Sequence, residues 1–587
     1  MIKRWIFLIV LVVLGIVLAF YPNFKTVGAG VSILLFGMIT LEEGFKVFTK
    51  GPLRNLLRLS TNKLYKSISL GAAITAIIQS SSLVSVITIS FISAGLITLS
   101  SGIGLIFGAN IGTTATAWLV AGFGLKVQIS ALAMPMLIFG ILFSFQNEKT
   151  LKGLGSVLAG LGFFFLGIHY MKEGFEIFSA HLDLTAYAVT GFLGILIYTG
   201  IGIFITSIMQ SSSASLALIL TALAAGQITY ENSLALAIGS NIGTTITAVI
   251  GSIGSNIAGK RLALAHLIFN LLTGLFALVI IGPLARLVAY LSGILGIAPD
   301  DYTLQLALFH TLFNVLGVLL MLPFIKKLEE LLLRFIRDRG DKDKDIDEPK
   351  FLNKAVLEFP GTVISSLEKE TRYLFENAVF EIVAHAVNIH RKDIQSDLKP
   401  KHLVKKSKSE IDINVRELYM QKVKNIYGLI LEYATKAQSD LNLSEEQNKR
   451  IAEIKIANRK MVEIILDVKE LRHNVNEYMY SDNKHMQKEY NKFRRTIVEV
   501  YRVIYSCQLS DDLLANYNKL LELKETVKSE FLKDSEKIND LIRQGHVTPF
   551  MSSSLVNDHD NVDDIIKKLI QVGELLYSRQ DTILEPR

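Results

Sequence analysis

The sequence "IIQSSSLVS", residues 77–85, places one glutamine and three serines inside a stretch from Ser67 to Leu125 that has no charged side chain. The same four polar residues return in "IMQSSSASL", residues 208–216, again within an uncharged stretch. Small polar residues often pack between helices in membranes, so a single such cluster would indicate packing. A cluster that occurs twice in matching surroundings favours a binding site.

Charge divides the chain into two parts. The chain has 587 residues and a net charge of +7, with 16 Lys and Arg and 9 Asp and Glu up to residue 323 and 45 of each sign beyond it. We therefore expect an apolar membrane domain over 1–325, a juxtamembrane linker over 326–350 and a charged soluble domain over 351–587. The soluble part has no net positive charge to attract nucleic acid. The single cysteine, Cys507, excludes an intrachain disulfide bond.

The first part contains ten long apolar segments. Eight have about the 20 residues that one membrane crossing needs. The other two, 67–99 and 187–225, are too long for one crossing and carry QSSS near the middle, which predicts re-entrant hairpins of two half-helices. Segment 284–296 is predicted to be interfacial or partly inserted. The eight predicted spans are residues 5–21, 27–43, 102–121, 127–145, 152–171, 233–253, 262–281 and 303–323.

Basic residues set the predicted orientation, because Lys and Arg are concentrated in cytoplasmic loops. Lys3 and Arg4 place the N-terminus inside, and segment 46–66 contains six cations. Segment 172–186 contains one cation and is predicted to be external. We expect a multi-pass protein of the cytoplasmic, or inner, membrane with both termini in the cytoplasm.

The two QSSS stretches belong to a longer internal repeat. Gln79 and Gln210 are 131 residues apart, and "GANIGTTATA" at 108–117 matches "GSNIGTTITA" at 239–248 with the same separation. The repeat covers about 28–125 and 158–255. The charge distribution predicts that the two copies have opposite orientations in the membrane. This architecture is typical of secondary transporters, whose substrate and ion sites lie between the repeats near the membrane midplane.

The repeated residues have the chemistry of an ion site. Serine hydroxyls and the N-termini of half-helices suit an anion, whereas amide, hydroxyl and carbonyl oxygens suit a hard cation. Gly112 and Gly243 are positions where a helix could unwind. The predicted substrate-binding residues are Gln79, Ser80, Ser81, Ser82, Gln210, Ser211, Ser212 and Ser213. The predicted sodium ligands are Asn110, Thr113, Thr114, Asn241, Thr244 and Thr245.

These residues resemble those of the type II sodium–phosphate cotransporter family, which has two inverted copies of a QSSS-bearing repeat. The resemblance covers about 28–325 and includes both Asn-Ile-Gly-Thr-Thr elements. It implies sodium-driven movement of phosphate, with the QSSS residues as the shared site. The charged tail resembles that of the bacterial branch, which carries a PhoU-like helical domain associated with phosphate signalling.

The tail shows helical periodicity throughout. Ser444 and Gln447 form a predicted capping box before a helix that runs to about residue 479. We expect a bundle of about six helices, with 545–564 as a turn into the last one. Two groups could bind a metal, although a solvated helix start and a surface pair are the simpler interpretations: Asp558, Asp560, Asp563 and Asp564, and Glu381 with His385.

Two further polar pairs lie in the membrane part. His266 and Asn270, in "HLIFN", match His310 and Asn314, in "HTLFN". Each pair is spaced by four residues, which places it on one face of a helix. The pairs either join neighbouring helices by hydrogen bonds or have a proton-linked or gating role.

The fold class is therefore an all-α, polytopic membrane protein with two inverted repeats and re-entrant hairpins, followed by a soluble PhoU-like helical bundle. The predicted function is sodium-coupled transport of inorganic phosphate, with no enzymatic activity and no cofactor besides the transported sodium. The alternatives are a phosphate exporter and a membrane-anchored phosphate sensor. The expected partners are phosphate, sodium and the lipid bilayer, and not nucleic acid. A homodimer and a phosphate-signalling partner of the tail are compatible with the sequence.

Overall fold

The structure is a computed structural model whose described residues form helices and connecting turns, with no β-strand among them. They divide into two compact units, Met1–Asp338 and Arg339–Arg587. Most of the predicted span 5–21, and parts of segments 46–66, 172–186 and 326–350, lie outside the described residues. The structure describes residues 23–49, 63–126, 129–179, 188–337 and 347–578, and positions 15, 18 and 19.

The first unit consists of apolar helices. Seven of its described helical segments are long and apolar enough to cross a membrane. Its helices are α1 (Asn23–Thr49), α2 (Leu64–Ile78), α3 (Ser81–Ser93), α4 (Leu99–Gly112), α5 (Thr114–Trp118, which continues as a π-helix over Leu119–Gly124), α6 (Ile129–Ser144), α7 (Lys149–Ser179), α8 (Gly191–Met209), α9 (Ser212–Ala224), α10 (Tyr230–Gly243), α11 (Thr245–Ser252), α12 (Ile257–Val279), α13 (Ile281–Ile294), α14 (Tyr302–Met321) and α15 (Ile325–Phe335).

One predicted span and one predicted hairpin arm differ from the structure. Segment 127–145 contains α6, which has 16 residues within the described part of the chain, fewer than a perpendicular crossing needs, and residues 127 and 128 lie outside the described residues. Conversely, α8 has 19 residues and is long enough to cross, although it was expected to be a half-helix. The matching arm α2 has 15 residues, so the two hairpins differ in the length of their first arm. Segment 284–296 lies largely in the 14-residue α13, and its partial insertion stays a prediction.

Helices at equivalent positions of the two predicted repeats pack against each other in the same way. In the first copy α2 packs against α4, and in the second α8 packs against α10. A Cβ atom on Gly108 would lie 2.0 Å from the carbonyl oxygen of Ile68, and one on Gly239 would lie 2.1 Å from that of Thr199. Both helix pairs are therefore in backbone contact at equivalent points. The opposite orientation of the copies in a membrane stays a prediction.

The α-helix is interrupted at Gly112 and Gly243, because α4 and α10 end there and α5 and α11 begin two residues later. The intervening residues, Thr113 and Thr244, keep right-handed angles, with φ of −62° and −64°, so the backbone does not become extended. A Cβ at Gly112 would lie 2.5 Å from the carbonyl oxygen of Ala72. The glycines therefore permit close packing of helices, and the unwinding predicted beside them is limited to one residue.

The second unit is a helical bundle with a hydrophobic core of its own, formed by residues between 352 and 577. The helix after the Ser444–Gln447 capping box is confirmed over 35 residues. The helices are α16 (Pro360–Leu374, which continues as a π-helix over Phe375–Val379), α17 (Phe380–Ala386), α18 (Arg391–Ile394), α19 (Pro400–Lys406), α20 (Val415–Leu418, followed by a π-helix over Tyr419–Val423), α21 (Lys424–Asp440), α22 (Glu445–Met479), α23 (Lys484–Gln508), α24 (Leu513–Arg543) and α25 (Pro549–Tyr577).

Buried arginines of the long helices form hydrogen bonds and ion pairs with other helices and with loops of the second unit. Arg450 of α22 forms a buried ion pair with Glu368 of α16. Arg494 of α23 donates hydrogen bonds to the carbonyl oxygens of Val387 and Ser407, at 2.8 and 2.7 Å. Burial lowers the pKa of the Arg494 guanidinium to about 10, so it stays protonated at neutral pH. The loops of this unit are thus fixed by hydrogen bonds to their backbone.

The prediction of a turn over 545–564 is wrong beyond its first four residues. Thr548 caps α25 by accepting a hydrogen bond from Met551 N, and Pro549 occupies the first helical position, which suits proline. Asp558 is consequently buried within the helix and accepts a hydrogen bond from Tyr490 at 2.5 Å. Burial raises the pKa of this carboxyl group against the effect of its hydrogen bonds.

The described residues contain no group of three or more His, Cys, Asp or Glu side chains that could hold a metal ion. In the predicted acidic cluster, Asp563 pairs with Lys567. Glu381 pairs with Lys422 at 3.1 Å. Both carboxylates therefore have cationic partners within the bundle.

The close contact between α2 and α4 gives a first prediction. Gly108→Ala should destabilise the membrane unit by about 1–3 kcal/mol, because the added methyl group overlaps the carbonyl oxygen of Ile68. Gly200→Ala in α8 is the matched control, since nothing lies within 4 Å of its Cβ position. Thermal unfolding of both variants in the same detergent measures the effect. Equal melting temperatures for the two variants would show that the helices are not in backbone contact.

Candidate functional site

Each QSSS sequence connects two helices through a glutamine in an unusual conformation. Gln79 ends α2 with φ 60° and ψ 22°, and Gln210 ends α8 with φ 53° and ψ 24°. This left-handed region costs a non-glycine residue about 1–2 kcal/mol. Glycine would adopt it without strain, so the presence of glutamine at both positions points to a role for its side-chain amide.

The first serine of each sequence caps the following helix. Ser80 Oγ accepts a hydrogen bond from Leu83 N at 3.2 Å, and Ser211 Oγ accepts one from Ala214 N at 3.1 Å. The next residues, Ser81 and Ser212, begin α3 and α9 and are largely buried. The first N–H groups of a helix have no partner within it and carry partial positive charge. We call the segments Gln79–Ser82 and Gln210–Ser213 the two tips.

The two tips meet, although they are 131 residues apart in the chain. Ser82 of the first tip donates a hydrogen bond to the backbone carbonyl oxygen of Gln210 in the second, at 3.2 Å. Thr116 of α5 donates to Gln79 Oε1 at 2.7 Å, and its hydroxyl oxygen lies 3.0 Å from Ser213 Oγ. A single threonine therefore bridges the tips, and the N-termini of α3 and α9 converge on one region.

This arrangement is not symmetric. Thr247, which is equivalent to Thr116, donates instead to the carbonyl oxygen of Thr244 in its own helix, at 2.8 Å. The side chain of Gln210 is exposed and makes no hydrogen bond with the described residues. The side-chain amide of Gln79 is thus fixed by the protein, and that of Gln210 is available to a ligand.

Helix α1 contacts both tips. Glu42 Oε2 accepts a hydrogen bond from Ser80 Oγ at 2.9 Å. One turn earlier on the same face, Met38 Sδ lies 3.9 Å from Ser211 Oγ. The first tip therefore faces a carboxylate and the second a thioether.

Two buried threonines lie one turn before the glutamines. Thr75 and Thr206 are 0% exposed, and their hydroxyl groups have no hydrogen-bond partner among the described residues. Such an unsatisfied hydroxyl is costly and calls for an explanation. The two threonines pack against Gly112 and Gly243 at equivalent positions, so they are a matched feature of the two repeats.

The predicted sodium ligands mainly hydrogen-bond within their own helices. Asn110 Nδ2 donates to the carbonyl oxygen of Ile106 at 2.9 Å. Thr114 and Thr245 donate to carbonyl oxygens three residues earlier, at 2.7 and 2.8 Å. A hydroxyl that donates in this way keeps its oxygen lone pairs, so these contacts leave sodium coordination as a prediction.

Asn241 belongs to a network between helices. Its Nδ2 donates to Asn314 Oδ1 at 2.7 Å, and His310 Nε2 lies 3.2 Å from its Oδ1. The pair His310/Asn314 thus joins α14 to α10, in agreement with its interpretation as a connection between helices. In the other pair, Asn270 donates to the carbonyl oxygen of His266, a contact within α12.

Sequence reasoning missed two residues of this site, Thr116 and Glu42. Thr116 lies inside the repeated GTTATA and GTTITA elements, so the repeat itself contained a signal for it. Glu42 carried no such signal, because its contact with Ser80 depends on how α1 packs against the tips.

These features define a multi-pass helical membrane protein in which two matched repeats bring polar tips together. The chain belongs to the Na+/Pi-cotransporter family, whose family model matches residues 33–173 and 185–298.

Three relatives illustrate the similarity. The chain is 29% identical over 347 residues to YjbB of Escherichia coli, whose name proposes inorganic phosphate export; the match covers 58% of this chain and 61% of that protein. It is 30% identical over 292 residues to YqeW of Bacillus subtilis, which is named as an uncharacterized protein. That match covers 49% of this chain and 90% of YqeW. It is 38% identical over 87 residues to human sodium-dependent phosphate transport protein 2B. That match covers 14% of this chain and 12% of the human protein. No solved structure matches the chain.

The bridge between the tips gives a second prediction. Thr116→Val should lower the free energy of unfolding by about 1–3 kcal/mol, because it leaves polar atoms of the half-buried Gln79 and the buried Ser213 without their partner. Thr247→Val is the matched control, since Thr247 hydrogen-bonds only to its own helix in the described part of the chain. Thermal unfolding in detergent compares the two. An equal or larger loss for the control would contradict the bridge.

Proposed function

We propose that the protein transports inorganic phosphate across the cytoplasmic membrane, coupled to sodium. The observation that carries this proposal is the convergence of two helix N-termini, with six serines and two glutamines between them. A phosphate ion presents four oxygens, which match N–H and hydroxyl donors arriving from two directions. Helix N-termini bind phosphate in many unrelated proteins.

The described part of the chain places no lysine or arginine in hydrogen-bond contact with the tips, which supports coupling to sodium. Helix dipoles provide only partial charges, each about half of one elementary charge. A phosphate dianion in such a site needs further positive charge, and a bound sodium ion would provide it. The human relative is named as sodium-dependent, which agrees with this argument.

The direction of transport is the second part of the proposal. The name of YjbB proposes export, and that of the human relative refers to sodium-dependent transport. The site itself favours neither direction, because a coupled transporter moves its substrate according to the ion gradients. We propose uptake under an inward sodium gradient, with export as the alternative under a reversed gradient.

We further propose that the C-terminal unit regulates transport as a PhoU-like domain. The membrane unit has a core of residues between 34 and 313, and the C-terminal unit has another between 352 and 577. Each unit can therefore fold around its own interior. All tip residues belong to the first unit.

The third prediction tests the function directly. In proteoliposomes, an inward sodium gradient should drive uptake of labelled phosphate, whereas an equal choline gradient should not. Ser81→Ala and Ser212→Ala should each lower the initial rate by at least about tenfold, the effect of losing about 1.4 kcal/mol of binding. Ser156→Ala is the control, since Ser156 is on the surface of α7 and donates to Lys152 O.

Two outcomes would contradict this proposal. Normal uptake by both tip variants would remove the assignment of the site. Well-folded wild-type protein that binds phosphate but does not move it in either direction would favour the membrane-anchored sensor.

The fourth prediction concerns the C-terminal unit. A protein that ends at residue 350 should keep sodium-coupled phosphate transport, because the tips and their supporting helices are complete without the deleted part. It should lose the difference in rate between cells grown in low and in high phosphate. Initial uptake rates at equal surface amounts measure both properties. A well-inserted truncated protein that cannot transport phosphate in vesicles would make the C-terminal unit part of the transport machinery.

A further inference from the structure

The second unit carries a short basic segment on its surface. The sequence "KPKHLVKKSK", residues 399–408, contains five lysines and no acidic residue. We call these ten residues the basic segment. Elsewhere in the unit, lysines such as Lys422 and Lys568 pair with carboxylates. In the part of the chain that the structure describes, the lysines of the basic segment are all exposed and form no ion pair: Lys399, Lys401, Lys405, Lys406 and Lys408.

The basic segment is held in place from its inner side. Leu403 and Val404 of α19 are buried in the hydrophobic core of the unit. Arg494 Nη2 donates a hydrogen bond to the carbonyl oxygen of Ser407 at 2.7 Å, and the Tyr480 hydroxyl donates one to that of Lys408. The lysines therefore belong to a fixed surface of the bundle rather than to a free tail.

The positive charge of this surface is local. The chain beyond residue 323 has 45 basic and 45 acidic residues, so the unit as a whole has no basic excess. The nearest acidic residues in the sequence are Asp397 and Glu410, and Glu410 pairs with Arg472 at 3.4 Å. Five neighbouring cations repel one another, and anions placed between them remove this repulsion. The basic segment is therefore complementary to a surface that presents several negative charges.

Anionic lipid headgroups are the partner that matches this surface best. Clusters of about four to eight lysines or arginines beside a membrane bind anionic lipids by electrostatic attraction. Leu398 directly precedes the basic segment and is 44% exposed. An apolar side chain next to basic residues suits the boundary between headgroups and acyl chains. A nucleic acid matches less well, because the segment contains no Phe, Tyr or Trp on which a base could stack.

The connection to the membrane unit favours lipid over a partner in solution. The stretch Tyr302–Phe335 is long and apolar enough to cross a membrane, and the described part of the second unit begins at residue 347. The residues between them, 336–346, can extend over at most about 40 Å. Such a tether gives the second unit a high effective concentration at the membrane surface. An electrostatic contact that is weak by itself is then sufficient for docking.

We propose that the basic segment docks the second unit on anionic lipid headgroups of the membrane that contains the first unit. The ammonium groups of the lysines contact lipid phosphates, and Leu398 enters the headgroup region. The contact does not involve the tips, so this inference is independent of the proposed phosphate transport.

The test uses the full-length chain in lipid nanodiscs, with an environment-sensitive fluorophore on His402→Cys in a chain that carries Cys507→Ser. One set of discs contains phosphatidylcholine only, and the other contains phosphatidylcholine and phosphatidylglycerol in equal parts. Acrylamide, a neutral quencher, should quench the fluorophore at least about threefold less in the anionic discs, because lipid covers the segment there. Salt at about 1 M, where the Debye length is about 3 Å, should remove the difference.

Charge reversal tests which residues are responsible. Lys401→Glu/Lys405→Glu/Lys406→Glu should abolish the difference between the two kinds of disc. Lys449→Glu/Lys469→Glu/Lys528→Glu is the matched control, since it makes the same change of charge at exposed lysines of α22 and α24. It should keep the difference. If the first variant melts at a lower temperature than the control, Lys401→Gln/Lys405→Gln/Lys406→Gln decides the question, because it removes the charges without adding acidic groups.

Three results would overturn the proposal. Equal quenching of the wild-type chain in both kinds of disc would show that the segment does not contact anionic lipid. Equal loss of protection in the charge-reversal variant and its control would show that net charge, and not the basic segment, attracts the lipid. Protection by a short RNA in phosphatidylcholine discs, with none from phosphatidylglycerol, would assign the segment to a soluble polyanion.

Discussion

The membrane unit depends on one set of contacts, the hydrogen bonds that hold the two tips together. Each tip is a strained connection in which a helix ends at a left-handed glutamine and another begins two residues later. Such a connection persists only if its surroundings fix it. Thr116, which contacts Gln79 and Ser213, provides part of that support, and Ser82 adds the contact with the Gln210 backbone. The shared position of two helix N-termini follows from these contacts.

The packing of glycine-containing helices brings the tips to this position. Gly108 and Gly239 allow α4 and α10 to approach α2 and α8 as closely as backbone atoms permit. A side chain at either position would move the arm of a hairpin, and the tip would move with it. Close packing and ion binding are therefore not competing explanations for the small residues, because the packing positions the residues that bind.

Local patterns predicted some of this architecture, and tertiary contacts determined the rest. The helix–tip–helix arrangement was predicted from two apolar segments that are too long for one crossing and carry QSSS near the middle. The Ser444 capping box located its helix correctly. The unwinding predicted at Gly112 is limited to the single residue Thr113, and the sequence did not show that the same glycine also packs against the backbone of α2. Pro549 after Thr548 was a recognisable helix start that was overlooked. Glu42 and Thr116 join parts of the chain whose proximity no local pattern expresses.

The central claim is that the two tips meet in one shared site. Cross-linking in native membranes tests it most directly, with Ser82→Cys and Gln210→Cys introduced together in a chain that carries Cys507→Ser. Because Ser82 Oγ lies 3.2 Å from the Gln210 carbonyl oxygen, the account predicts that a short bifunctional maleimide links the two cysteines within one chain. Cysteines that both react with a monofunctional maleimide, yet are not linked by the short bifunctional reagent, would show that the tips are apart and would contradict the shared site.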